Sequence, residues 1–278
     1  MADTLGLFCV WGAPMRVRRI AFLIDGGFFL KCLPKTAPSF SGSPQAVAEA
    51  ARILCKRHVK RLAGSDRRWL DHVYRVFYYD ALPFEGKLHH PVTNRQIDFS
   101  KSPAAVFRRT LVDELRRKRK FALRLGEVAR DPSGDWAINP KKIKKIIATH
   151  HFHERFTESP CDVDDTARAE LARLEKLWRE FTDADVTPTF RQKGVDMRLG
   201  IDVASITLKK QADTIILVTG DSDFVPAAKL ARREGVEVIL DPMWRNIRPD
   251  LHEHIDGLAS VLGGQAGQPD ETTTPEED

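Results

Sequence analysis

Short apolar runs alternate along the chain with longer stretches of helical spacing. Arg19-Ile20-Ala21-Phe22-Leu23-Ile24 and Thr214-Ile215-Ile216-Leu217-Val218 are apolar at successive positions. This pattern marks strands buried on both faces, as in a parallel sheet. The aromatic and β-branched run Val73–Tyr79 predicts a second strand and Phe121–Val128 a third, with Asp213–Thr219 the fourth and Val236–Leu240 the fifth. Helical spacing falls between them: Pro44–Leu62, with Val47, Ala51, Leu54 and Val59 on one face, then Pro103–Lys120, Met197–Lys210, Ser222–Glu234 and Arg248–Leu262. Ser222 is placed to cap its helix and Gly235 to stop it. Strands that alternate with helices close into a parallel sheet with right-handed crossovers, so the fold class is α/β.

Residues 129–185 interrupt this alternation. Ile143, Ile146 and Ile147 lie at helical spacing within Lys141–His150, and a second helix is expected near Thr166–Phe181, so the stretch reads as a helical insertion. The expected organisation is one domain over 17–262 carrying that insertion, with 1–16 and 263–278 as disordered ends. The leader has no basic n-region and no small-residue cleavage pattern, which makes it a poor signal peptide. Met15 stands just before Arg16-Val17-Arg18-Arg19, so the first residues read as an extension or as the product of an upstream start.

Two of the apolar strands deliver acid to their carboxyl ends. The first runs into Asp25-Gly26-Gly27 and the fourth into Thr219-Gly220-Asp221-Ser222-Asp223. Ligands of parallel sheets gather at that edge. Asp196, in Lys193-Gly194-Val195-Asp196, falls in the first turn of a helix. If the first and fourth strands are neighbours, Asp25, Asp196, Asp221 and Asp223 converge, and carboxylates that close repel unless a cation neutralises them. Mg²⁺ or Mn²⁺ suits such a set, since hard divalent ions choose carboxylate and water oxygens and leave room for a substrate phosphate. A bound ion of this kind supports phosphodiester hydrolysis by acidifying a water and offsetting charge on the phosphoryl oxygens.

The motifs Ile24-Asp25-Gly26-Gly27-Phe28, Gln192-Lys193-Gly194-Val195-Asp196 and Thr219-Gly220-Asp221-Ser222-Asp223-Phe224-Val225-Pro226, in that order, resemble the NYN domain of the LabA-like group, a branch of the PIN-like nucleases. The similarity spans most of 17–256. It implies a PIN-like three-layer αβα sandwich around a mainly parallel five-stranded sheet, and a metal-dependent ribonuclease site. Carried over position by position, the metal-site acids are Asp25, Asp196, Asp221 and Asp223. Asp202 also matches a recurrent acid, but six residues of helix turn it about 240° away from Asp196, so outer-shell or surface duty suits it better. Asp80, at the end of the second strand, matches no ligand and reads as a turn residue. The cofactor expected is Mg²⁺ or Mn²⁺, and the partner is RNA, single-stranded. Lys193 and Arg191 stand beside the second motif as phosphate-side cations, with Arg232 and Arg233 weaker candidates and Ser222 a further phosphate contact at a helix start.

Charge agrees with a nucleic-acid partner. The whole chain carries a formal +5, yet its last nine residues hold five acids and no base, so the rest is more basic still. Arg108, Arg109, Arg116, Arg117, Lys118, Arg119 and Lys120 crowd one helix, where phosphate contact and a merely solvated helix end are both open readings. The insertion's Lys141, Lys142, Lys144 and Lys145 leave open an RNA platform, a groove cover or a homodimer contact.

Cysteines at 9, 32, 55 and 161 are too few and too scattered for a disulfide framework, which points to a reducing cytoplasm. His150, His151 and His153 near Cys161 lack the spacing of a zinc site, and no run of about 18 apolar residues predicts a membrane span. Gly26-Gly27 lacks the third glycine of a dinucleotide fingerprint. It reads as a place where backbone approaches a phosphate. A haloacid-dehalogenase-like site needs acid where Gly27 stands, a Toprim domain begins with Glu and leaves Lys193–Asp196 unexplained, and a receiver wants clustered early acids and a late lysine. Two other functions stay open: a non-cleaving RNA-binding or regulatory adaptor, and a hydrolase of small phosphoesters.

Overall fold

The computed structural model describes residues 18–65, 67–148 and 165–263. These divide into two compact units, one built from 18–80, 110–125 and 195–263, the other from 81–109, 126–148 and 165–194. A mostly parallel sheet of seven strands flanked by helices runs through the chain in the order β11-β10-β9-β1-β2-β5-β8. Its members are β1 (Ile20–Asp25), β2 (Val73–Leu82), β5 (Phe121–Arg130), β8 (Phe190–Lys193), β9 (Thr214–Val218), β10 (Glu237–Leu240) and β11 (Gly257–Leu258). The α/β class and all five expected strands are present. The expected count of five falls short because β8 and β11 are short edge strands without a hydrophobic period.

The first unit owes its core to β1 and β9. Ile20 to Ile24 are fully buried, as are Ile215 to Val218. The two strands pair in parallel, with Ile20 opposite Thr214 and Ile24 opposite Val218, while β2 takes the other edge of β1 and sets Asp25 opposite Tyr79. Helix α1 (Gly26–Thr36) leaves β1 directly, and α2 (Pro44–Ala63), capped by Ser43, buries Val47, Ala51, Leu54 and Val59 as its spacing requires.

Helix α3 (Pro103–Arg116) is shorter than expected and precedes β5, whose first half belongs to this unit. Next come α6 (Val195–Leu208), α7 (Val225–Arg233) and α8 (Pro249–Glu253). The last helix was expected to continue to Leu262. Asp256 prevents it: its amide donates to the Val238 carbonyl at 2.8 Å and its carboxylate accepts from the Val238 amide at 2.8 Å, which draws the chain into β11 beside β10.

In the second unit, the latter half of β5 pairs antiparallel with β8, from Glu127 opposite Lys193 to Arg130 opposite Phe190. This unit is less helical than the sequence suggested. It contains two small antiparallel pairs, β3 (Lys87–His89) with β4 (Gln96–Asp98) and β6 (Trp136–Ile138) with β7 (Val186–Pro188). Helices α4 (Pro140–Ile147) and α5 (Asp165–Arg179) fall where they were expected. A half-buried aromatic cluster joins this unit: Phe190 lies 4.9 Å from Phe84 at a tilt and meets Phe99 edge-on at 5.1 Å, with Trp136 at 6.4 Å from Phe99. The segment 81–109, outside the predicted insertion, is therefore part of this lobe. The leader, the acidic tail and the His150, His151, His153 and Cys161 group lie outside the described residues.

Candidate functional site

Asp25 is the last residue of β1 and the N-cap of α1. Its backbone is still extended while its Oδ1 accepts the Phe28 amide proton at 3.0 Å, which satisfies one of the free donors of the first turn. Oδ2 accepts the Thr219 hydroxyl at 3.4 Å, and the same hydroxyl oxygen accepts the Asp221 amide at 3.2 Å. Thr219 is 1% exposed. It therefore ties the ends of neighbouring strands β1 and β9 together at the edge where the acids collect.

Asp221 in turn accepts the Asp223 amide at 3.0 Å and caps a turn of 3₁₀ helix, Ser222–Phe224, that leads into α7. The cap is thus Asp221 and not Ser222, because Asp221 is the residue that remains extended. Asp196 sits in the first turn of α6 and is exposed, like Asp221 and Asp223.

The charge of Asp196 links Asp25 on one side to Asp221 and Asp223 on the other. Burial, opposed by the Phe28 amide and reinforced by the Asp196 charge, sets the Asp25 carboxyl above its ordinary pKa. Partial desolvation, followed by the charges of Asp221 and Asp223, raises Asp196 likewise. No lysine or arginine of the described residues pairs with any of the four. As placed, no three His, Cys, Asp or Glu side chains among the described residues stand close enough to hold an ion.

Glycine is required beside this edge. A Cβ on Gly26 would stand 2.6 Å from both the Tyr78 ring and the Tyr79 carbonyl, and one on Gly220 would meet the Phe28 ring at 2.7 Å. Close packing of α1 on β2 accounts for Gly26 without any phosphate.

The other expected residues are placed as follows. Asp202 accepts the Tyr79 hydroxyl at 2.9 Å and the Arg124 Nε at 2.7 Å. Burial and this carboxylate push the Tyr79 hydroxyl upward, so it stays a donor. Asp80 lies within β2, not in a turn, and is 1% exposed. Arg232 is held by Asp256 at 2.8 Å and by the Glu253 carbonyl at 3.0 Å, while Arg233 is exposed beside Glu234. Arg191 and Lys193 are exposed on β8 of the second unit.

The basic helix is laced with acid. Arg109 pairs with Glu85, Arg116 with Asp113, Arg117 with Glu114, and Lys118 with Glu49. That arrangement favours the solvated-helix reading over phosphate contact. Sequence reasoning missed Thr219 as a tie, since a threonine at a strand end carries no distinguishing signal until its neighbour strand is known.

Residues 165–247 match the family model of the NYN domain. That stretch contains Asp196, Asp202, Asp221 and Asp223; Asp25 lies outside it. No curated protein matches the chain. Among solved structures, a Vibrio parahaemolyticus protein of unknown function is similar at 12% identity and a TM-score of 0.43, over 90% of this chain and 96% of that one. No described helix is long and apolar enough to cross a membrane.

Proposed function

We propose that the protein is a divalent-metal-dependent ribonuclease of the LabA-like NYN group, acting on single-stranded RNA in the cytoplasm. NYN domains belong to the PIN-like nucleases, and the match over 165–247 supports hydrolysis of RNA at a coarse level. One observation carries the finer reading: the Thr219 hydroxyl bridges Asp25, from a strand outside the matched stretch, to the Asp221 amide, and the charge of Asp196 raises the Asp25 carboxyl further.

The donor set fits a hard divalent ion. It offers carboxylate oxygens without an opposing base, three of them on exposed side chains. Asp25, Asp196, Asp221 and Asp223 would hold Mg²⁺ or Mn²⁺. When bound, such an ion supplies an activated water and neutralises phosphoryl charge. The chain's own part is to fix Asp25 through the Phe28 amide and the Thr219 hydroxyl, and to hold Asp221 through its cap. Asp202 serves as an anchor for Tyr79 and Arg124 rather than as a ligand.

The test is cleavage of a labelled single-stranded RNA with Mn²⁺ by wild type and by Asp221→Asn purified in parallel. Loss of at least a hundredfold in the variant is expected. Equal cutting by both proteins assigns the activity to contamination and ends the catalytic reading; binding without product under any divalent ion favours the adaptor.

A further inference from the structure

The first unit contains a pocket of about 500 Å³, lined by Cys32, Lys35 and Thr36 of α1 and by Met243, Trp244, Arg245 and Asn246 of the loop after β10. Two features mark it as built. The loop holds two successive bulky residues in the left-handed region, Met243 at φ 48° and Trp244 at φ 62°. Each costs about 1–2 kcal/mol and persists only where its surroundings over-determine it.

Those surroundings are explicit. Asp241 accepts the Met243 amide at 2.8 Å and is itself held by His58 at 2.9 Å; Ser260 accepts the Trp244 amide at 2.8 Å; and the Leu262 carbonyl accepts the indole Nε1 at 2.7 Å. The indole is therefore fixed while Lys35 and Arg245 remain exposed at the wall. Arg245 has no carboxylate partner among the described residues and approaches only the Cys32 sulfur, at 3.9 Å. Cys32 stands about two turns along α1 from Asp25, the N-cap of that helix. Burial, above all, raises the Cys32 thiol, and the Asp25 carboxylate adds to the rise.

A rigid aromatic beside two unneutralised cations is how sequence-tolerant single-strand sites are made: stacking takes a base, and the cations take its phosphate. We infer that the Lys35–Arg245 pocket binds one nucleotide of the RNA strand flanking the scissile bond. The inference rests on RNA being the substrate of the acid site. Neither cation belongs to any motif that pointed to nucleic acid, because the two lie on segments far apart in sequence.

Binding of a fluorescent single-stranded RNA is measured in EDTA, so that cleavage plays no part, across a salt series. The proteins are wild type, Lys35→Ala/Arg245→Ala, and the charge-matched control Lys56→Ala/Lys60→Ala on α2. The pocket variant is expected to bind about tenfold more weakly, with a salt slope smaller by about 0.7, the value for one phosphate contact on a single strand. The control is expected to change affinity less than twofold. Arg245→Lys in the Lys35 background is expected to retain most of the binding. Equal weakening by pocket variant and control, no weakening by either, or no binding by wild type overturns the pocket. A wild type that binds RNA through the pocket yet never cleaves it leaves the pocket standing and removes the nuclease. A wild type that cleaves while the pocket variant binds like the control does the reverse.

Discussion

The Thr219 hydroxyl donates to Asp25 across the junction of two parallel strands, 194 residues apart in sequence. It accepts the Asp221 amide at the same time. Replacing Thr219 with valine keeps the shape and removes both bonds, leaving the Asp221 amide without its acceptor. A loss of about 1–2 kcal/mol is expected, read as a lower urea midpoint at unchanged m-value. A midpoint equal to that of wild type means the hydroxyl ties nothing.

Asp196 costs stability where it is ionised. Its folded pKa is raised above the carboxylate value of 3.8, first by desolvation and then by Asp221 and Asp223. Below that value both folded and unfolded chains are protonated and the group contributes nothing. As pH rises through the folded pKa, stability falls and then levels off. Without divalent ions, Asp196→Asn should therefore melt higher than wild type at neutral pH, by about 1–2 °C for an exposed group. The advantage should vanish toward pH 3.8. An equal difference at both pH values, or none at either, rules out charge repulsion as its origin.

Mn²⁺ or Mg²⁺ should relieve the same repulsion. An ion that binds only the folded chain raises stability by about 2.7 kcal/mol at a hundred times its dissociation constant. Wild type should therefore melt higher with the ion than in EDTA, and Asp25→Asn/Asp221→Asn should not. Equal rises in both proteins place the ion elsewhere.

His58 and Asp241 are both fully buried, with Nε2 2.9 Å from Oδ2. His58→Ala strands a carboxylate in the core and loosens the loop that bears Met243 and Trp244. A loss of about 3–5 kcal/mol is expected from thermal or urea unfolding, with weaker RNA binding where the fold survives. A loss below about 1 kcal/mol shows that the Met243 amide alone satisfies Asp241.

Much of this was legible in the chain. Buried strands such as Ile20–Ile24 carry continuous apolar runs, and acids at their ends stand out against them. The adjacency of β1 and β9, on which the grouping of the acids depended, holds. Features with little hydrophobic signature were not legible. β8 reads Phe-Arg-Gln-Lys and is mostly exposed, and β11 has two residues. Choosing between Asp221 and Ser222 as cap turns on which backbone stays extended, which neither side chain announces. The pocket at Lys35 and Arg245 joins segments that no local pattern connects.

The position of β1 between β2 and β9 has a kinetic consequence. During synthesis the first strand finds its second partner only after some 190 further residues have emerged, so until then its unpaired backbone edge, flanked by apolar side chains, needs shelter from neighbouring chains. Closing so long a loop makes refolding slow and prone to association, and a nascent chain halted before Thr214 should be the species that chaperones retain.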